Sequence, residues 1–64
     1  MKLDVAKIKL ATARKQMTLT DVMKKAKLSS VTIRRIYAGL EVQPKTVGKL
    51  AAALECDVAE LLAS

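Results

Sequence analysis

The residues best able to do chemistry lie in one stretch, DVMKKAKLSSVTIRRIYAG, which covers residues 21–39. It contains two adjacent arginines, Arg34 and Arg35, among residues spaced as in a partly buried helix. If Ile33 is placed at the centre of the core face, steps of about 100° put Ile36 beside it and Val31 and Arg35 on the opposite side. The arginines therefore belong to an exposed surface and not to the core.

The exposed residues of this helix have the size and chemistry to enter a DNA major groove. Arginine can form bidentate hydrogen bonds with guanine, serine and threonine can bond several base edges, and an aliphatic group can touch the thymine methyl group. We expect Arg35 to contact a base, Arg34 a phosphate, and Ser29 to cap the helix near a phosphate. The plain alternative is a solvated helix face on which Val31 is an ordinary surface aliphatic. The candidate DNA-binding residues of this helix are Ser29, Ser30, Val31, Thr32, Arg34 and Arg35.

Length and charge narrow the class of protein. The 64 residues are enough for one domain and too few for a large catalytic cleft. The only aromatic residue is one tyrosine, so the core must be aliphatic, which is typical of packed helices. Twelve Lys and Arg against six Asp and Glu give a net charge of +6, which favours a polyanionic partner.

Several other classes have little support. The chain has no histidine and a single cysteine, Cys56, so it lacks the ligands of the usual zinc sites and cannot close an intrachain disulfide. There is no Gly-rich phosphate loop and no carboxylate pair suited to acid and base catalysis. No apolar run approaches the length of a signal-peptide core or a membrane span. We expect a cytoplasmic protein that is not an enzyme and has no metal, cofactor or small-molecule ligand.

Caps and periodicity predict five short helices. The third is expected over about residues 29–38, and Gly39 is placed to end it. The first is expected to run to about Lys15. The five helices are predicted to begin after Asp4, after Thr18, after Ser29, near Pro44 and after Asp57.

With these elements the chain resembles the lambda-repressor-like helix-turn-helix domains of the Cro/repressor or Xre family. The matching sequence runs from MTLTDVMKKAKLSSVTIRRIYAG through QPKTVGKLAAALECDVAELL, so with the first helix it covers nearly the whole chain. Its marks are the spacing of Leu28, Ile33 and Gly39, the proline Pro44, and the segment LAAALECDVAELL. The resemblance implies an all-α bundle of five short helices, one helix-turn-helix domain over residues 1–64, which binds double-stranded DNA.

The resemblance also implies roles for individual residues. The helix that begins at Ser29 matches the recognition helix, so Ser29, Ser30, Val31 and Arg35 stand where the family reads bases. Members touch phosphate near the start of the preceding helix, at positions that here hold Thr18 and Thr20. They often carry a basic residue near the DNA backbone at the position of Lys45. The family consists of bacterial and phage transcriptional regulators, so the resemblance implies a regulator, and more specifically a repressor.

Four departures from the family pattern affect the expected packing. Lys27 stands where the turn often has Gly, and it is strained if its φ is positive. Met23 replaces a small Ala, which predicts looser or rotated packing between the two helices. Thr12 and Tyr37 stand where the family pairs an Arg with a Glu, and Glu41 makes the next loop less basic.

The sequence leaves two kinds of partner to consider besides the DNA itself, a second copy of the chain and an acidic protein. Such domains usually act as homodimers on palindromic operators with half-sites about 34 Å apart. We expect the interface in a last helix at residues 57–63, with Leu61 or Leu62 partly exposed. The alternative function is a protein-interaction or antitoxin-like adaptor whose basic face meets an acidic protein, although Ser, Thr and Arg on the exposed face favour DNA.

Overall fold

The computed structural model describes residues 1–63 and folds them into four α-helices and one 3-10 turn. The elements are α1 at Val5–Arg14, α2 at Leu19–Ala26, α3 at Ser30–Tyr37, α4 at Pro44–Leu54, and the 3-10 turn at Val58–Glu60. Within the described part of the chain, β pairing is limited to one isolated antiparallel bridge between Leu3 and Leu62. The all-helical fold class is confirmed at this level.

The predicted fifth helix is wrong, because the chain after Asp57 makes only one 3-10 turn. Asp57 does cap that turn, and its side chain accepts a hydrogen bond from the backbone of Ala59. The following backbone groups then bond elsewhere: the Leu61 carbonyl accepts from Asp4 N at 2.8 Å, and Ala63 N donates to the Lys2 carbonyl at 3.1 Å. Pairing with the first residues of the chain therefore replaces further helical turns.

The predicted starts of the first three helices are confirmed by side-chain caps, and that of the fourth by its proline. The Asp4 carboxylate accepts hydrogen bonds from the backbone of Ala6 and Lys7 at the start of α1. Thr18 and Ser29 cap α2 and α3, and Pro44 occupies the first turn of α4. Each cap satisfies backbone donors that a helix start leaves unpaired.

Aliphatic side chains fill the core, in which α2 packs against α4. Leu61 is 0% exposed, so of the two leucines expected to be partly exposed, Leu61 is not and Leu62 is. Leu62 is half-buried and packs against the core. The largest fully buried side chains are Ile8, Val22, Ile33, Ile36, Val47, Leu50, Leu54 and Leu61.

Two residues with positive φ set the direction of the backbone before and after α3. Lys27 ends α2 in the left-handed conformation, with φ 56° and ψ 46°, so the strain expected there is present. Gly39 has φ 76° and lies just beyond the end of α3, where Leu40 N donates to the Arg35 carbonyl at 3.1 Å. A glycine adopts this conformation without the penalty that a side chain brings.

Candidate nucleic-acid interface

α3 presents one buried face and one exposed face, as its residue spacing predicts. Ile33 and Ile36 are 2% and 1% exposed and attach the helix to the core. Val31 is 65% exposed on the opposite side, and Arg34 and Arg35 are also exposed. The outer face of α3 therefore combines an aliphatic group with two guanidinium groups.

The start of α3 is fixed by two hydroxyl groups that bond each other. Ser29 Oγ accepts a hydrogen bond from Thr32 N at 3.2 Å and lies 3.0 Å from Thr32 Oγ1. Thr32 is half-buried, whereas Ser30 is exposed in the first turn of the helix. Ser29 and Thr32 thus shape the helix start, and Ser30 and Val31 present the free surface beside it.

Arg35 makes a contact that its sequence position does not suggest. Its Nη2 atom donates a hydrogen bond to the Glu41 carbonyl oxygen, 3.2 Å away in the loop between α3 and α4. One guanidinium edge is therefore engaged by the loop, and the side chain lies at the border between α3 and this loop. The border forms a groove of about 270 Å³ lined by Thr32, Arg35, Glu41, Val42, Gln43 and Thr46.

The start of α2 carries a reciprocal capping arrangement. Asp21 N donates to Thr18 Oγ1 at 3.2 Å, and Thr18 N donates to Asp21 Oδ2 at 2.9 Å. The bond from the Thr18 backbone, followed by that from its hydroxyl, lowers the pKa of Asp21 below its usual 3.8. Thr18 is thus a cap, whereas Thr20 is exposed in the first turn and takes no part in these two bonds.

The other residues that the sequence singles out lie away from the exposed face of α3. Lys45 is exposed in the first turn of α4, two residues after Gln43, whose side chain makes no capping bond. Thr12 donates its hydroxyl to the Lys9 carbonyl at 2.8 Å within α1. Tyr37 is half-buried against the core, and this burial raises its pKa. Thr12 therefore bonds within its own helix, whereas Tyr37 packs against the core.

Two further findings concern other kinds of site. Among the described residues, no group of three or more His, Cys, Asp or Glu is arranged to hold a metal ion. Over residues 1–63, none of the helices has the length and apolar character needed to cross a membrane.

Two short helices joined by a tight left-handed turn, the second with an exposed basic and polar face, define the class of helix-turn-helix DNA-binding domains. The family model for the Cro/C1-type HTH DNA-binding domain matches residues 7–63. The chain belongs to this family, which confirms the resemblance that its sequence suggested. A search of curated proteins found no match.

Proposed function

We propose that this protein is a sequence-specific transcriptional regulator that acts as a repressor, with α3 in the major groove of double-stranded DNA. Membership of a DNA-binding family supports the partner class. The observation that carries the finer proposal is the exposed face of α3, where Ser30, Val31, Arg34 and Arg35 point away from the core. These side chains can bond base edges, touch a thymine methyl group and bind phosphate.

In this docking, the elements beside α3 bind the DNA backbone. The start of α2, with Thr18 and Thr20, lies across one strand, as the first helix of a helix-turn-helix does. Lys45 at the start of α4 and Ser29 at the start of α3 lie near further phosphates. Arg35 can make two contacts at once. One edge of its guanidinium group keeps the bond to the Glu41 carbonyl, and the other edge binds a guanine.

We further propose that the protein acts in the cytoplasm as a homodimer on a palindromic operator. The domain measures 24 × 22 × 18 Å between Cα atoms, so two copies fit side by side on half-sites about 34 Å apart. Leu61 is buried, so of the two leucines expected at the interface Leu62, which is half-buried, is the one left to contribute to it. Apolar side chains exposed by 46% and 64% occur at Leu40 and Leu10.

The test is a selection from random duplex DNA by the purified protein, at one fixed salt concentration. We expect an enriched palindrome that Arg35→Ala relaxes at one base position in each half-site, at a cost of about 1–3 kcal/mol there. The matched control is Arg34→Ala, which should weaken binding to all sequences about equally. If no sequence is enriched, or if Arg35→Ala changes no position, α3 is not the reader.

A further inference from the structure

A second basic surface lies where α1, α2 and α4 end close together. Glu55 Oε2 is 2.8 Å from Lys15 Nζ and 3.9 Å from Lys25 Nζ. One carboxylate therefore serves two lysines, one directly after α1 and one in α2. The three residues belong to a groove of about 500 Å³ lined by Lys15, Met17, Asp21, Lys24, Lys25 and Glu55, which we call the lysine groove.

Glu55 holds this position in a conformation that favours glycine. It follows α4 in the left-handed region, with φ 53° and ψ 44°. Its hydrogen bond with Lys15, and then the charges of Lys15 and Lys25, lower its pKa, so the carboxylate is ionised at neutral pH. Glu55 thus places a negative charge beside two lysines, although its left-handed backbone conformation is more favourable for glycine.

The lysine groove adjoins the part of α2 that is proposed to lie against DNA. Thr20 and Lys24 are four residues apart in α2, so their side chains are neighbours on one face of the helix. Both are exposed, and Lys24 lines the groove. A DNA strand that follows this face of α2 from Thr20 therefore reaches the groove at Lys24.

We propose that Lys15 and Lys25 bind backbone phosphates beyond the half-site read by α3, and that Glu55 is a built-in counter-ion that these phosphates displace. The inference rests on the docking described under the proposed function. A phosphate and the Glu55 carboxylate compete for the same two ammonium groups. Glu55 therefore lowers the affinity for every DNA sequence alike without touching the DNA, so a sequence without base contacts to α3 is bound too weakly to be retained.

The first test is the salt dependence of binding to the selected operator with flanking duplex. The double variant Lys15→Gln/Lys25→Gln should reduce the slope of log K against log salt by about 1.8, or about 0.9 for each phosphate that the protein no longer neutralises. Lys49→Gln, which removes an exposed lysine of α4, should leave the slope unchanged. If the wild type binds no DNA, the proposed function fails. If it binds and the double variant has the same slope, only the present inference fails.

The second test removes the counter-ion. Glu55→Gln should tighten DNA binding about two- to fivefold, the range expected from removal of exposed ion pairs. The same change made on Lys15→Gln/Lys25→Gln should give no gain, because the lysines that Glu55 pairs with are gone. Thermal unfolding of each variant verifies that the compared proteins are folded.

Three outcomes would overturn the inference. A gain from Glu55→Gln that persists without the two lysines would mean that only overall charge matters. Weaker binding by folded Glu55→Gln would mean that Glu55 orients the lysines for DNA. Binding of poly-glutamate that the double lysine variant abolishes, with an unchanged salt slope, would assign the groove to an acidic protein.

Discussion

The two ends of α3 are held in place by different kinds of contact. At its start, Ser29 bonds Thr32 only three residues away, and Lys27 makes the turn. At its other end, the loop after Gly39 is held by residues distant in sequence, since Val42 N donates to the Met1 carbonyl at 2.9 Å. The first residues of the chain are in turn held by the segment after the 3-10 turn, through Asp4 N and the Leu61 carbonyl.

This difference matters for the interface, because the two ends have different tasks. The start of α3 carries Ser30 and Val31, which face the bases in the proposed docking. The other end carries Arg35, whose guanidinium bonds the Glu41 carbonyl of the loop. The locally built end should therefore keep its shape when distant parts of the fold loosen, whereas the position of Arg35 should depend on them.

The largest expected effect comes from the distant support. Leu61→Ala removes a side chain that is 0% exposed and should lower the free energy of unfolding by about 2–5 kcal/mol. Urea unfolding measures this decrease. The control Lys49→Ala, at an exposed residue of α4, should change stability by less than about 0.5 kcal/mol. A small decrease for Leu61→Ala accompanied by weaker self-association would instead return Leu61 to a dimer interface.

A smaller effect is expected at the locally built end. Ser29→Ala removes the oxygen that accepts from Thr32 N and should cost about 1 kcal/mol of stability. The control Ser30→Ala changes the next residue, which is exposed inside the helix, and should be nearly neutral because alanine favours helix. Equal decreases for the two variants would show that the cap does not hold this end of α3.

The same division decides what could be predicted from the sequence. Asp4, Thr18, Ser29 and Pro44 act on backbone groups within three residues, so the starts of the four α-helices could be predicted from local signals. The burial of Ile33 follows from helical spacing in the same way. The exposed candidate residues of α3 could be placed because they lie opposite that buried face.

The features that the sequence did not predict depend on contacts between distant residues. The cap at Asp57 predicts a helix after it, but pairing of residues 61–63 with residues 2–4 ends the helix after one 3-10 turn. The bond from Arg35 to Glu41 requires the turn at Gly39, and the lysine groove requires the ends of three helices to meet. The residue types at these positions do not indicate that the distant segments come into contact.

The smallest expected effect tests a local contact through its pH dependence. The Thr18 backbone N–H, and then its hydroxyl, lower the pKa of Asp21 below 3.8, so the folded protein holds this proton less tightly than the unfolded chain. The stabilisation is present in full above the unfolded pKa and is lost as the pH falls through the lower folded value. Between roughly pH 5 and pH 2, wild-type stability should thus fall more steeply than that of Asp21→Asn, which cannot titrate there.

Urea unfolding of both proteins across this range measures the difference, and comparison at pH 7 gives the baseline outside the titration window. NMR titration of the Asp21 carboxyl carbon in the folded protein measures the pKa directly. A midpoint at or above 3.8 would mean that the reciprocal bonds with Thr18 do not favour the carboxylate in solution. The start of α2 would then depend on its packing against α4, as the far end of α3 depends on distant residues. The contrast between locally and distantly supported ends would not extend to α2, the helix proposed to lie across the DNA backbone.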